Sequence, residues 1–390
     1  AADSYLRVGT IVEAALGTGC DAIHPGYGFL AENAAFAAAA AEHGLRFVGP
    51  RAEVIELTGD KLRARTAAAA AGLPLVPGRA VESRAEAERL AEEIGYPLLL
   101  KAAAGGGGRG IKLARDAAEL ATLYEVAAAE AGAAFGDARL YAERFITAAR
   151  HVEVQILADE HGAVIHLGER DCSTQRRYQK LVEEAPAPCL APALRDAACA
   201  AAVAFARSVG YTNAGTVELV VDVERERFAF LEMNCRIQVE HPVTEAVTGV
   251  DLVAEQLAIA DGRPLSLAQE DVVFDGHAIE CRLTAEDPQQ DFRPSPGRLR
   301  RFALPDLPGV RVDTHCEEGT LIPPYYDSLM AKLIAHGPDR ESARALLLEA
   351  LERVEVEGVA TNRALLAQVL GEPRFVAGEL TTRWLEEALA

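Results

Sequence analysis

Three stretches of this chain combine residue types that could handle a phosphate tail, a divalent cation and a small oxyanion. The first is KAAAGGGGRGIK, residues 101–112. Its glycines, Gly105, Gly106, Gly107 and Gly108, carry no Cβ, so successive N–H groups can close over phosphate oxygens. Lys101 before them and Arg109 after them add positive charge. The run also fits GxGxxG. However, it lies well inside the chain and puts an arginine where a helix should begin, while Ile111 stands where a Walker A lysine belongs. A flexible turn is the competing reading of the loop alone.

The second stretch is a hairpin, residues 216–223 and 228–234, with a charged turn between. Glu218 lies on one strand and Glu232 and Asn234 on the other. Side chains alternate along a strand, so Glu232 and Asn234 share a face while Leu231 and Met233 point away. Carboxylates on an otherwise apolar hairpin need a neutralising cation, and two glutamates with one asparagine make an oxygen-only set suited to Mg²⁺ beside phosphate oxygens. A solvated face with paired charges is the alternative. The third stretch continues from it as EMNCRIQVEHPVTE, residues 232–245. If the backbone stays extended, Glu232, Asn234, Arg236, Gln238 and Glu240 all project from one side. Arg236 suits bidentate capture of a planar oxyanion, and Glu240 could serve as a general base beside it. Two further groups are weaker. RDCSTQRRYQK brings Gln175, Tyr178 and Lys180 together but reads equally as solvated basic surface. Arg282 shares a strand face with Glu280, where a structural ion pair would account for both.

The elements that must position these groups alternate between helix and strand. A helix over 4–18, a strand over 22–24, a helix over 33–43 and the short strand RFVG give an α/β texture with a parallel sheet. Further on come a helix near residue 60 and another over 84–94, the strand PLLLK, a helix over 117–131, strands at RLYAERFI and HVEVQILA, and a helix over 195–209. The last region holds HAIECRLTAED, a proline-rich connector at 294–297, short strands and a helical end. With 390 residues the chain has room for two or three lobes. Its net charge of −20 argues against a nucleic-acid surface, and no stretch is long and apolar enough for a membrane span. Seven scattered cysteines without a CxxC pair suggest reduced thiols in a reducing, cytoplasmic setting and no zinc site. The sequence opens within a helix, without Met, signal peptide or basic leader, which reads as an N-terminally truncated chain.

Taken in order, the motifs resemble the biotin carboxylase family of ATP-grasp ligases over nearly the whole chain. The segments carrying the likeness are HPGYGFLAEN, TGDK, the glycine loop, RHVEVQ, ERDCSTQRRYQK, EEAPAP, EMNCRIQVEHPVTE, GHAIECR and PPYYDSLMAKL. The resemblance implies an α/β fold of three parts: a truncated N-terminal domain over 1–52, an ATP-grasp domain over 53–276 with a mobile lid at about 73–145, and a C-terminal domain over 277–386. It implies ATP contacts from Lys61, Lys101 and the glycine loop, an adenine-reading hinge at Glu143 and Ile146, and His151, Gln175 and Tyr178 near the nucleoside. It further implies Mg²⁺ or Mn²⁺ on Glu218, Glu232 and Asn234. Lys180, Arg236, Gln238, Val239 and Glu240 would form the bicarbonate and γ-phosphate pocket, and Arg282 would contact biotin.

The implied activity is carboxylation of biotin by ATP and bicarbonate through carboxyphosphate, the first half-reaction of a biotin-dependent carboxylase of acyl-CoA carboxylase type. Implied partners are a biotin carboxyl carrier protein or domain, a carboxyltransferase subunit and a second copy of the chain. No Met-Lys-Met biotin acceptor segment occurs, so biotin is expected on a separate carrier or segment. Ala104, Tyr178 and Cys235 depart from the family pattern, which usually has Gly, His and Thr there; none removes a charge that the chemistry needs. An ATP-grasp ligase of carbamoyl-phosphate-synthetase type, or an inactive nucleotide-binding subunit, would share the lid and metal ligands but not RIQVEHPVTE or PPYYDSLMAKL.

Overall fold

Several helices begin where the sequence supplies a capping side chain. Asn33 accepts the Phe36 N–H at 2.8 Å to start helix Ala34–Glu42. Asp60 accepts from Leu62 and Arg63, both at 2.9 Å, to start helix α1 (Lys61–Ala70). Ser83 caps helix Arg84–Ile94. Between the first helices, Ala22–Ile23 pairs in parallel with Arg46–Phe47 over a small core that includes Val12, Phe36 and Leu45.

The structure, a computed structural model, describes residues 4–102, 111–135, 138–188 and 190–389. The expected phosphate loop, Gly105 to Gly108 with Ala104 and Arg109, lies outside the described residues. The chain divides into two compact units, one formed by residues 1–73, 150–221 and 230–390, the other by 74–149 and 222–229.

The smaller unit is built on a four-stranded antiparallel sheet in the order Gly78–Val81, Leu140–Arg144, Leu98–Ala102, Lys112–Ala114. Helices Arg84–Ile94 and Ala117–Phe135 supply Leu90, Leu120 and Tyr124 to the core that covers it.

The larger unit is organised by an eight-stranded sheet. Its strands in chain order are β1 (Ala149–Ala158), β2 (Val164–Arg176), β3 (Gln179–Ala185), β4 (Asn213–Asp222), β5 (Arg227–Asn234), β6 (His277–Thr284), β7 (Val310–Thr314) and β8 (Leu329–Gly337). They run across the sheet as β5-β4-β1-β2-β3-β6-β8-β7. The pairings from β1 across to β7 are antiparallel. Ile279, Cys281 and Leu283 on one face of β6 enter a core with Leu347, Leu366 and Trp384. The opposite face carries Ala278, which packs against Val243 and Val247 of helix α2 (His241–Thr248). The turn into β6 needs Gly276: its φ is +63°, and a Cβ there would meet the Gly337 carbonyl oxygen at 2.1 Å.

Two expectations change. β2 and β3 form a hairpin at the middle of the sheet, where the basic stretch around Arg176 had allowed a surface reading. The charges of GERDCSTQ are buried rather than solvated, because each finds an opposite charge: Glu169 with Arg195, Arg170 with Glu153 and Asp171 with Arg150; Arg177 and Tyr178 beyond them are exposed. The extended row from Glu232 to Glu240 also stops early. β5 ends at Asn234, and the chain then turns so that Glu240 becomes the N-cap residue of α2, with Pro242 in the helix's first turn.

Candidate functional site

Strands β1, β3, β4 and β6 and the turn before α2 deliver charged side chains to one buried cluster in the larger unit. At its centre is Lys180 of β3. Its Nζ donates to Glu240 at 2.6 Å, to Glu153 of β1 at 2.7 Å and to Glu218 of β4 at 3.1 Å. Burial alone would lower the lysine pKa, but three carboxylates outweigh it and hold the ammonium charged, with its pKa well above the usual range. Glu153 also accepts from Arg170 Nε at 2.6 Å. Arg170 is fully buried, bonded onward to Gln155 at 2.7 Å and Thr244 at 3.0 Å.

Glu240 sits between two cations. One oxygen accepts from Lys180, and the other from Arg282 Nη2 at 2.8 Å. Burial would raise its pKa, yet Lys180, Arg282 and Arg170 carry it well below the carboxylate range, so it is ionised. Arg282 Nε is held by Glu183 of β3 at 2.6 Å. The structural ion pair that was the alternative reading of Glu280 and Arg282 does not form: Arg282 turns to Glu183 and Glu240 instead.

Glu218 ties this cluster to a second group. Its Oε1 accepts from Asn234 Nδ2 at 2.8 Å, and its Oε2 lies 3.0 Å from His151 Nε2. Burial opposes charge on His151, but the adjacent Glu218 carboxylate raises the histidine pKa overall. His151 is thus engaged with an expected metal ligand. Arg236 is clamped on three sides, by Glu32 at 2.9 Å, Gln238 at 2.9 Å and Asn234 Oδ1 at 3.0 Å. The carbonyl of Val239 accepts from Lys332 Nζ at 2.8 Å.

A cavity of about 180 Å³ opens beside these residues, lined among others by Glu32, Lys61, Glu232, Asn234 and Cys235. Lys61 stands in the first turn of α1. The Glu232 side chain reaches solvent through the cavity although protein surrounds it. That enclosure, and then the charge of Glu218, push its pKa up against the pull of Lys61. Glu232 and Asn234 on the cavity wall, with Glu218 bonded to Asn234 and close enough for its charge to act on Glu232, fit a hard divalent cation flanked by phosphate oxygens. The ligand atoms of His151, Glu153 and Glu218 also lie within 4.8 Å of one another, but there Lys180 already supplies the positive charge. Cys235 is buried, with Sγ 2.8 Å from Thr58 Oγ1, so the thiol occupies the position of the family's usual Thr with a hydrogen-bonding partner.

The remaining expected residues lie elsewhere. Gln175 is buried near the end of β2, whereas Tyr178 is 72 % exposed at the β2–β3 turn, with φ +67°. Lys101 and Glu143 belong to the smaller unit, where they form a short ion pair with each other, and half-buried Ile146 follows strand Leu140–Arg144. Five residues of the larger unit's cluster escaped the sequence reading: Glu153, Arg170, Glu183, Glu32 and Lys332. Glu153 carried a usable signal, a carboxylate amid the apolar residues of HVEVQILA. The others acquire partners only through long-range contacts.

Comparison with known proteins agrees across the whole chain. Residues 1–55 match the model of the biotin carboxylase N-terminal domain and residues 280–387 that of the biotin carboxylase C-terminal domain. Residues 60–268 match the ATP-binding domain of the carbamoyl-phosphate synthase L chain, a module shared with the rival considered above; the flanking matches separate the two. A biotin carboxylase of a Nostoc species is 52% identical over 388 residues, covering 99% of this chain and 87% of that protein. The structure of the biotin carboxylase domain dimer of Hydrogenobacter thermophilus 2-oxoglutarate carboxylase, with MgADP, ADP and bicarbonate, superposes with TM-score 0.93 at 50% identity, covering 99% of this chain and 86% of that one. Rhizobium etli pyruvate carboxylase gives TM-score 0.91 at 43% identity, covering 98% of this chain and 34% of that one.

Proposed function

The chain belongs to the biotin carboxylase family, and we propose that the groups gathered around Lys180 divide the family's ATP-dependent carboxylation of biotin among themselves as follows. The observation that carries the proposal is the sharing of Glu240 between Lys180 and Arg282. An ionised carboxylate between two cations can accept a proton and return it without an uncompensated charge.

In the resting cluster those cations hold Glu240 strongly acidic. When bicarbonate and a nucleotide phosphate draw on the same cations, their hold on Glu240 weakens and its basicity rises. Bicarbonate rests on the guanidinium of Arg236, which Glu32, Gln238 and Asn234 fix in one plane. Glu240 takes its proton, and the resulting dianion oxygen attacks the γ-phosphorus of ATP while Lys180 offsets charge on the transferring group. ADP leaves and carboxyphosphate forms. Glu218, Glu232 and Asn234 would hold Mg²⁺ or Mn²⁺, which neutralises the phosphate oxygens when bound. Lys61 adds a phosphate contact from the start of α1.

Carboxyphosphate then breaks down to CO₂ and phosphate. The phosphate removes the biotin ureido proton, Arg282 stabilises the enolate-like ureido oxygen, and the nitrogen attacks CO₂ held beside it. Confinement makes this last step effectively unimolecular. Lys101, Glu143, Ile146 and the glycine loop would complete the nucleotide site, with His151, Gln175 and Tyr178 toward the nucleoside. The boundaries at 52 and 276 and the lid at about 73–145 remain part of this proposal.

The finer assignment is an acyl-CoA carboxylase, with acetyl- or propionyl-CoA as final acceptor, acting in the cytoplasm with a biotin carrier and a carboxyltransferase. It rests on the motif resemblance. The 2-oxoglutarate and pyruvate carboxylases named above show that one biotin-carboxylating fold is joined to different acceptors. A homodimer is proposed from the dimer of the Hydrogenobacter domain. Among the described residues, no helix is long and apolar enough to cross a membrane. The test of the division of labour is Arg236→Lys, which loses the planar fork. It should raise the KM for bicarbonate about tenfold or more, the scale of a lost hydrogen bond to a charged group, with the KM for ATP unchanged. An unaltered bicarbonate KM would remove Arg236 from the pocket.

A further inference from the structure

Next to Arg282 the sheet buries two carboxyl groups opposite each other. β3 and β6 pair so that Glu183 lies directly opposite Glu280. Residues opposite each other in an antiparallel pair share a face, with Cβ atoms about 5 Å apart. Both are fully buried. One oxygen of Glu183 accepts from Arg282; the other has no hydrogen-bond partner, and neither has either oxygen of Glu280.

Three unsatisfied carboxyl oxygens in one dry place are costly if both groups are anions. The cost falls if Glu280 is a neutral acid, because its O–H can then turn to the Glu183 carboxylate directly across the strand pair. We propose that Glu280 is a positioning residue: a protonated carboxyl that donates to Glu183 and so holds Glu183 ionised and fixed on Arg282.

The electrostatics agree with this arrangement. Burial pushes the Glu280 pKa well above the carboxyl range, with Lys332 opposing and Glu183 adding to the shift. Burial also raises Glu183, with Arg282 pulling the other way. Glu183 has the guanidinium beside it and Glu280 has no such partner, so Glu183 ionises and the proton stays on Glu280. Other ionisable groups on the packed elements are Lys180 of β3, Lys332 of β8, Cys172 of β2, Cys281 of β6, and Glu240 and His241 at the start of α2. Lys332 is engaged by the Val239 carbonyl and Asp313, and His241 is kept neutral, its pKa lowered to about 3 by burial and then Lys332. Neither relieves Glu280 by hydrogen bonding.

The arrangement bears on catalysis through the proposed contact of Arg282 with biotin, so it rests on that reading. Two arms keep the tests separate. Difference infrared spectroscopy of the unliganded chain at pH 8 should show the carbonyl stretch of a buried protonated carboxyl that is absent from Glu280→Gln. No such band, or a band that persists in the variant, overturns the proposal whatever Arg282 does.

The kinetic arm uses free biotin as substrate. Glu280→Gln keeps an N–H donor toward Glu183 and should leave the biotin KM within about twofold of the parent. Glu280→Leu removes the donor and should raise that KM about tenfold, the scale of one hydrogen bond to a charged group, with the KM for ATP unmoved. It should also shift upward the pH midpoint of the biotin KM, because Glu183 then loses the donor that favours its ionised form. Equal effects of Gln and Leu would refute the donor role. If Arg282→Met leaves the biotin KM unchanged while the infrared band behaves as expected, the biotin reading of Arg282 fails and the proton-sharing pair stands.

Discussion

Replacing Glu240 by Gln tests the cluster at its functional centre. The substitution keeps shape but removes a negative charge that accepts at 2.6 Å from Lys180 and 2.8 Å from Arg282. The fold should survive, because neither cation is stranded: Lys180 keeps Glu153 and Glu218, and Arg282 keeps Glu183. Gln offers one carbonyl oxygen, so one of the two charge-assisted hydrogen bonds becomes a bond to a neutral acceptor, at about 1–2 kcal/mol, while the other is lost because the amide NH₂ faces a cation, at about 1.5–3 kcal/mol, or about 3–5 kcal/mol of stability together. Turnover should suffer much more, since general base catalysis contributes about 10²–10⁴-fold. The assay is bicarbonate- and biotin-dependent ADP formation alongside calorimetric titration with ATP and Mg²⁺. A fall in kcat of that size with an ATP Kd within about threefold of the parent, a difference of under 1 kcal/mol, is expected. Turnover close to the parent's would show that Glu240 is not the base.

Other expectations follow from the same geometry. Glu232→Ala should raise the Mg²⁺ concentration needed for half-maximal turnover by about tenfold or more, the scale of a charged hydrogen-bonding contact; Mn²⁺ paramagnetic titration reads the binding directly. Lys180→Met leaves Glu153, Glu218 and Glu240 crowded without their central cation, and should cost about 3–5 kcal/mol in urea unfolding besides abolishing turnover. His241 has a folded pKa depressed from 6.5 to about 3, so its contribution to stability is present above pH 6.5 and is lost as pH falls toward 3. His241→Gln should therefore recover roughly 3 kcal/mol of the parent's loss between pH 7 and pH 4, at about 1.4 kcal/mol per pH unit, in urea unfolding at the two values.

The parts of the fold legible beforehand were those with local causes. Ser83 and the apolar spacing of Arg84–Ile94 delimit that helix without help from the rest of the chain, and the hairpin carrying Glu218, Glu232 and Asn234 follows from strand alternation around a charged turn. The β2–β3 hairpin was obscured because its buried charges look like surface until their partners are known; Arg170 pairs with Glu153, 17 residues away, and with Thr244, 74 residues away. The row from Glu232 to Glu240 was read on an extended backbone that the chain does not keep. Its residues converge because the chain turns after Asn234, not because it stays extended. The ion pair with Glu280 that competed as a reading of Arg282 does not form, since Glu183 of β3 and Glu240 at the start of α2 take its guanidinium. Residue type singled out candidate groups, while strand order decided which of them touch.

The central claim is that bicarbonate, seated on Arg236 and deprotonated by Glu240, attacks the γ-phosphorus of ATP. Oxygen-18 tracing tests it most directly. Turnover of ATP and biotin with ¹⁸O-bicarbonate, followed by mass analysis of the released phosphate before the label washes out, should find one bicarbonate oxygen in each phosphate. Phosphate whose fourth oxygen, beside the three from ATP, comes from solvent would mean that water attacks ATP and would contradict this mechanism.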